Sequence, residues 1–210
     1  LLLLVLLLGP LFATANPDPW VEAKRALEER RFDAALPLLQ AMVAAADPLA
    51  RARGLTGLTA MAIKLGKAPE RKHEIEQAIT LLRTLPQARA DLAYALVAAA
   101  EVAAAGDDSA ARLRFGEEAI AIYGDLPDRE RELMDALLRT SNADGRLGNR
   151  AAGEAKVLRA AEIADRIGVS PIERVRILGR QAAFAYGRGA PDEAAERYAQ
   201  MRTLAAEHAP

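Results

Sequence analysis

Residues 189–198 read GAPDEAAERY, and in this stretch Gly189, Ala194 and Tyr198 follow one another at short, regular intervals. The glycine that opens the stretch recurs along the chain with steps of 40, 42 and 41 residues, at Gly66, Gly106, Gly148 and Gly189. A fixed period of this length is typical of proteins built from repeated supersecondary units. The stretches on either side of each glycine are helical in pattern, so each unit is predicted to be a pair of helices.

Prolines keep a similar period with steps of 38, 41, 44 and 39 residues, at Pro48, Pro86, Pro127, Pro171 and Pro210. We expect each proline to close the second helix of one pair and to open the next unit, while glycine supplies the turn inside the pair. Two short turns per unit leave helices of about 17 residues, roughly 25 Å long. The predicted units are 18–48, 49–86, 87–127, 128–171 and 172–210.

The composition excludes several classes of protein. Among 210 residues, 51% are hydrophobic and 27% are charged, which is enough apolar material for a folded core. The net charge of −1 argues against a nucleic-acid binder. Cysteine is absent, which excludes disulfides, thiol nucleophiles and cysteine zinc sites. Aromatic residues make up only 4% of the chain, too few for base-stacking platforms.

The first fifteen residues differ from the rest of the chain. Residues 1–8 are an unbroken apolar run, and small side chains follow at Ala13 and Ala15. This pattern predicts a secretory signal peptide over 1–15 with cleavage before Asn16, a linker over 16–19 and a repeat domain over 20–210. The run is too short to span a membrane. The protein is therefore expected to be periplasmic or secreted; the alternative is a helix of the mature protein.

The repeated stretches resemble tetratricopeptide repeats (TPRs). Residues 189–198 and 106–115 carry the glycine-x4-alanine-x3-aromatic core of that family, and 31–48 is similar to it. The resemblance implies an all-α fold, a right-handed superhelix of about five antiparallel helix pairs. In that geometry the first helices line a concave groove and the second helices face outward. The period of about 40 exceeds the usual 34 and is similar to that of kinesin light chains, with HEAT-type stacking as the alternative.

No motif in the chain indicates catalysis, a metal or a cofactor. Glu70-x-x-His73 is one half of a di-iron ligand pattern whose second half is missing, and His208 lies at the C-terminal end. The serines of the chain are Ser109, Ser141 and Ser170, and none of them lies in a nucleophile motif. No strand precedes Gly54-x-x-Gly57, which excludes a phosphate loop and favours close packing of a helix. We therefore predict a protein that is not an enzyme.

Charge is distributed unequally between the two sets of helices. The first helices of the pairs sum to +5 and the second helices to −6, which together give the −1 of the chain. If the first helices line a groove, that groove is net basic and suits an acidic segment. The candidate partner-binding residues are Arg51, Arg53, Lys64, Tyr94, Arg139, Asn142, Arg176 and Arg180. The alternative is that these arginines only solvate an alanine-rich scaffold.

The sequence thus predicts an exported, non-catalytic scaffold that binds a partner protein or peptide, with an acidic segment as the expected ligand. No nucleic-acid partner and no membrane span in the mature chain are expected. The alternative is a regulatory or spacer region of a larger envelope protein or enzyme. A small-ligand protein is a weaker third interpretation, because few aromatic residues are present to line a deep apolar pocket.

Overall fold

A computed structural model of the protein describes residues 18–208. The predicted signal peptide, the cleavage predicted before Asn16, and the proline at the end of the last predicted unit lie outside these residues. Within 18–208 the chain forms ten α-helices and no strand. They are α1 (Pro19–Glu28), α2 (Phe32–Ala44), α3 (Pro48–Lys64), α4 (Lys72–Arg83), α5 (Arg89–Ala105), α6 (Ser109–Asp125), α7 (Glu130–Arg146), α8 (Arg150–Ile167), α9 (Pro171–Gly187) and α10 (Pro191–Glu207).

Consecutive helices pack against each other as the five pairs α1/α2, α3/α4, α5/α6, α7/α8 and α9/α10. The all-α repeat architecture predicted from the periodicity is therefore confirmed. Six of the helices have the expected 17 residues, namely α3, α5, α6, α7, α9 and α10. A short 3₁₀ turn precedes α4 at Ala68–Arg71, and another precedes α5 at Pro86–Ala88. Among the described residues no helix is long and apolar enough to cross a bilayer.

Three of the periodic prolines mark where first helices begin, whereas Pro127 lies in the turn that follows the second helix α6. Pro48 is the first residue of α3 and Pro171 the first of α9, while Pro86 opens the 3₁₀ turn before α5. Proline is suited to this position because its missing N–H would have no partner inside the helix and its fixed φ is already helical. In the same way α1 begins at Pro19, inside the segment predicted as a linker.

Three of the four periodic glycines adopt the left-handed backbone that a turn between paired helices requires. Gly66, Gly148 and Gly189 have φ of 73°, 84° and 84°. In the third unit, Gly106 keeps φ at −95°, and Asp107 takes the left-handed conformation with φ of 57°. Aspartate tolerates this conformation better than most side chains do. The third unit therefore keeps the turn, but the residue with positive φ is Asp107 instead of Gly106.

The core consists of three buried clusters along the stack. The first lies between α1, α2 and α3 around Trp20 and Leu39, the second joins α3 to α6, and the third extends from α5 to α9. Alanines at the interfaces are fully buried, as at Ala52 and Ala93. Small side chains bring the helix backbones close together, so no helix pair buries its apolar surface alone and neighbouring pairs bury it jointly.

Gly54 and Gly57 confirm the prediction of tight helix packing. They lie in α3 against α2, where a Cβ on Gly57 would stand 2.2 Å from Leu39 Cδ2. A Cβ on Gly54 would stand 2.7 Å from the backbone nitrogen of Val43 and 2.8 Å from the carbonyl oxygen of Leu39. A backbone cannot rotate away as a side chain can, so Gly54 sets the distance between α2 and α3.

We expect Gly54→Ala to lower the free energy of unfolding by about 1–3 kcal/mol, because overpacking outweighs the helix propensity gained with alanine. The matched control is Gly124→Ala in α6, where a Cβ meets only Arg159 Nη2 at 3.8 Å. That exposed position should instead gain about 0.5–1 kcal/mol from helix propensity. Urea unfolding followed by circular dichroism measures both variants, and equal shifts at the two sites would contradict the close-packing argument.

Candidate interaction groove

The helices α1, α3, α5, α7 and α9 form one surface, here called the first-helix face, which is joined by side-chain contacts from helix to helix. At its N-terminal end, Trp20 of α1 donates from Nε1 to Asp91 Oδ1 of α5 at 3.0 Å. Tyr94 of α5 packs edge-on against Trp20, with ring centroids 5.8 Å apart. Burial raises the pKa of Tyr94, with a smaller contribution from Glu28, so its hydroxyl stays neutral.

Arg53 of α3 binds the same carboxylate in a two-pronged arrangement. Its Nε lies 3.1 Å from Asp91 Oδ1 and its Nη2 lies 2.9 Å from Asp91 Oδ2. Asp18 contributes a further carboxylate 3.7 Å from Nη1. Planar forks of this kind are among the stronger ion pairs in proteins. Arg53 was predicted to bind a partner, but its positive charge is already compensated by carboxylates within the first-helix face.

The contact between α5 and α7 is also an ion pair. Arg139 of α7 lies 3.4 Å from Glu101 of α5 and 3.3 Å from Asp135 on its own helix. Burial of Arg139 acts to lower its pKa, but the two carboxylates outweigh this and raise the pKa overall. Arg139 is therefore held by acids of the first helices and does not project a free charge.

Contacts between α7 and α9 complete the face. Arg176 pairs with Asp135, and Arg180 donates to the side-chain oxygen of Asn142. Arg176 and Arg180 lie four residues apart on one face of α9, so their charges repel each other. In the structure each of them has its own partner on α7. Only the partner of Arg176 carries a negative charge.

The middle of the face holds an open cavity of about 360 Å³, here called the central cavity. Its aromatic lining comes from Tyr94 and Tyr123, and Tyr123 reaches it from the second helix α6. Burial is the main cause of the raised pKa of Tyr123. The charged lining residues include acids as well as bases, namely Lys64, Glu101, Glu132, Asp135 and Arg139. The groove was predicted to be net basic, whereas the acids outnumber the bases in the lining of this cavity.

A second cavity of about 410 Å³, here called the arginine pocket, lies where α7 and α9 end and α6 and α8 begin. Its lining residues are Arg112, Asn142, Gly145, Arg146, Arg150, Arg180, Ala183, Phe184 and Gly187. Four arginines line it, and none of the described carboxylates does. Positive charge on this side of the molecule is thus concentrated in one pocket rather than spread along the first helices.

The arginines of this pocket differ in how well they are paired. Arg112 lies 3.6 Å from Glu101, and Arg146 lies 3.1 Å from the exposed Asp107. Arg150 donates to the carbonyl oxygen of Gly187 at 2.6 Å. Burial lowers the pKa of Arg180, and repulsion from Arg112 and Arg176 lowers it further.

The eight predicted partner-binding residues do not form a single site. Lys64, Tyr94 and Arg139 line the central cavity, whereas Asn142 and Arg180 line the arginine pocket. Arg53 lines a neighbouring cavity of about 280 Å³ beside Trp20. Arg51 and Arg176 line none of these three cavities, and Arg51 instead donates to the carbonyl oxygen of Ala45 at 3.3 Å.

Three of the four arginines that line the pocket were not among the predicted partner-binding residues. Arg112 and Arg150 belong to second helices, which were expected to face outward, and Arg146 is the last residue of α7. All three lie close to a turn within a helix pair, so they reach the edge of the first-helix face. A signal existed in the spacing of Arg146 and Arg150 around the turn glycine Gly148.

The residues considered for chemistry have structural roles where the structure describes them. Ser170 caps α9, with its hydroxyl accepting from the Glu173 backbone N–H and its own N–H donating back to Glu173. Ser141 donates to the carbonyl oxygen of Leu138, and His73 is exposed in the first turn of α4. Within residues 18–208, no group of three or more histidine or acidic side chains is placed to hold a metal ion.

No family model matches the sequence, and no curated protein is similar to it in sequence. Its backbone is similar to several solved structures. TPR-like repeats from Podosopora anserina, described as those of a kinesin light chain, match with TM-score 0.69 and 16% identity over 91% of this chain and 96% of that one. MamA matches with TM-score 0.61 and 15% identity over 91% and 94%. A thermophilic TPR protein of Thermus thermophilus matches with TM-score 0.55 and 22% identity over 90% and 91%.

The five stacked helix pairs define the chain as a helical-repeat solenoid. More particularly, the chain has the tetratricopeptide-repeat-like α-solenoid fold, which confirms the resemblance seen in the sequence. At these identities the similarity establishes the fold, and the function has to be argued from the surfaces described above.

Proposed function

We propose that the protein is a non-catalytic interaction scaffold that binds an extended segment of a partner protein across the first-helix face. The observation that supports this most is the central cavity, because it is open, contains two tyrosines and lies in the middle of that face. Tyrosine offers a large contact area together with a polar end, and it is enriched at protein interfaces. Repeat solenoids commonly use such extended surfaces for binding.

The charges of the central cavity favour a segment that carries both signs. Lys64 is exposed and makes no ion pair within residues 18–208, while Glu132 and Asp135 place carboxylates nearby that also pair with Arg129, Arg139 and Arg176. A partner with acidic residues opposite Lys64 therefore remains our expectation, but a purely acidic segment would meet carboxylates in the same cavity. Like charges brought together across an interface cost affinity, so this arrangement selects partners by charge pattern.

We also infer that the protein acts outside the cytoplasm, as a periplasmic or secreted scaffold. The support is the apolar run over residues 1–8 and the small residues Ala13 and Ala15 that follow it. An envelope or extracellular protein is then the expected partner.

The test uses a partner captured from periplasmic extract and then purified, titrated against the wild type and two charge-reversal variants. Lys64→Glu places a negative charge in the central cavity, and we expect it to weaken binding about fivefold or more, mainly through the association rate. Lys67→Glu is the matched control, because Lys67 is exposed three residues further on and does not line the cavity. If the two variants have equal effects, or if Lys64→Glu has no effect, the partner does not bind at the central cavity.

A further inference from the structure

We propose that the arginine pocket is a binding site for a phosphate-bearing ligand, formed by Arg112, Arg146, Arg150 and Arg180. This inference goes beyond the scaffold proposal, because the pocket is separate from the central cavity and takes a different chemical group.

The first step is the positive charge in the pocket, which is only partly compensated. Four guanidinium groups line about 410 Å³ of space, and no acidic side chain of the described residues lines it with them. Arg112 and Arg146 have carboxylates at 3.6 Å and 3.1 Å outside the lining, whereas residues 18–208 provide none within ion-pair distance of Arg180 or Arg150, whose partners are a side-chain amide and a backbone carbonyl. Arg150 is exposed to solvent, but Arg180 is partly buried, so its missing counter-charge is costly and a bound anion removes that cost.

The second step is an unused donor. The Nε atom of Arg112 is buried and makes no hydrogen bond within the described part of the chain. Its nearest carboxylate, that of Glu101, lies 3.6 Å from a different nitrogen of the same guanidinium group, which is beyond hydrogen-bonding distance. Oε1 of Glu101 is also buried without a hydrogen-bond partner in the described residues, so part of this deficit belongs to the long Arg112–Glu101 contact itself. Buried polar atoms are nearly always satisfied in folded proteins, and an acceptor in the pocket would satisfy the Nε that this contact leaves unpaired. Repulsion from Arg112 also lowers the pKa of Arg180, which an anion between the two would reverse.

The third step is the choice of anion. A single carboxylate carries one charge and two oxygens, which one arginine fork can satisfy alone. A phosphate monoester carries nearly two charges and three acceptor oxygens, so it can be shared by several guanidinium groups at once. Beside the arginines, Ala183 and Phe184 form an apolar wall, which suits the organic group that carries the phosphate. The volume lies within the usual range of small-molecule sites.

The same chemistry can come from a free phosphate compound or from a phosphorylated side chain of a partner protein. We therefore choose three probes for isothermal titration in chloride buffer: inorganic pyrophosphate, a phosphoserine tripeptide with blocked ends, and the same tripeptide with glutamate in place of phosphoserine. We expect at least one phosphate probe to bind with a Kd below about 1 mM. Binding of pyrophosphate points to a free ligand, and binding of the phosphopeptide alone points to a modified partner.

Two variants locate the site. Arg180→Met keeps much of the side-chain volume and should weaken binding about tenfold or more, since a charge-assisted hydrogen bond is lost. Arg166→Met removes the same charge from the far end of α8, where Arg166 pairs with Glu130, and should leave binding unchanged. Circular dichroism confirms that both variants are folded, and ligand-induced stabilisation on heating provides a second measure of binding.

Three results would overturn the proposal. The first is that neither phosphate probe binds at millimolar concentration. The second is that Arg180→Met binds the phosphate probes as tightly as the wild type does. The same conclusion follows if Arg166→Met weakens binding as much as Arg180→Met, because binding would then depend only on the net charge of the protein. The third is that the glutamate tripeptide binds as tightly as the phosphoserine tripeptide, which would make the pocket a carboxylate site. None of these results depends on whether a partner binds the central cavity.

Discussion

Replacing Trp20 by alanine is expected to lower the free energy of unfolding by about 3–5 kcal/mol, the range found for large aromatic side chains in cores. Trp20 is 3% exposed and lies at the centre of the buried cluster that joins α1 to α2 and α3. The substitution opens a cavity, removes the edge-on contact with Tyr94 and takes away one of the donors to Asp91. Terminal repeats have neighbours on one side only, so this loss falls on the N-terminal pair.

The control is Val21→Ala on the same helix, where the side chain is 50% exposed and the change should stay within about 0.5 kcal/mol. Because Trp20 is the only tryptophan of the chain, unfolding has to be followed by circular dichroism rather than by fluorescence. Trp20→Phe keeps most of the packing but loses the N–H donor, and it should fall between the wild type and Trp20→Ala. A loss below about 1 kcal/mol for Trp20→Ala would show that α1 adds little to the stack.

Asp144→Ala is expected to cost about 3 kcal/mol, because it breaks a buried ion pair and leaves the cation behind. The side chain of Asp144 is 3% exposed, and its Oδ2 lies 2.7 Å from Lys156 Nζ. Glu117 also pairs with that ammonium group at 2.6 Å but is half exposed, so it compensates only in part. This cluster joins α6, α7 and α8 across two helix pairs.

A double variant separates the charge from the packing. Lys156→Met alone leaves Asp144 buried and unpaired, whereas Asp144→Leu with Lys156→Met removes both charges and should recover much of the loss. Chemical denaturation of the wild type, of Asp144→Leu and Lys156→Met singly, and of the double variant gives the coupling energy. If the single losses simply add in the double variant, the pair is not coupled and the prediction is wrong.

The same pair gives the sign of a pH dependence. Burial acts to lower the pKa of Lys156, but hydrogen bonds to Asp144 and Glu117 outweigh it and raise the pKa above its ordinary value of 10.5. A raised pKa in the folded state means that the stabilisation is complete below the unfolded value and is lost as the pH rises through the folded value. The difference between wild type and Asp144→Ala should therefore be constant from neutral pH to about pH 10 and should shrink above that.

The architecture followed from local features of the sequence. A period of about 41 residues in glycine and proline predicts paired helices, since both residues act through the local backbone, and the structure confirms five pairs. Gly54 and Gly57 were assigned to close packing for equally local reasons. In the third unit the left-handed backbone conformation occurs at Asp107 and not at Gly106. The repeat period could not predict this difference, because several residues in a turn can adopt that conformation.

Which charges meet depends on how the helices pack, and this was not predicted. Summing charge over helices placed an excess of +5 on the first helices, but Arg53 pairs with Asp91, 38 residues later, and Arg176 with Asp135, 41 residues earlier. These separations match the repeat period, because one period brings a residue to the neighbouring first helix. Whether two side chains then touch depends on the rotation of each helix about its axis, which a sum of charges does not contain. For the same reason the arginine pocket, built from four helices and both members of a pair, emerged only when those helices were packed together.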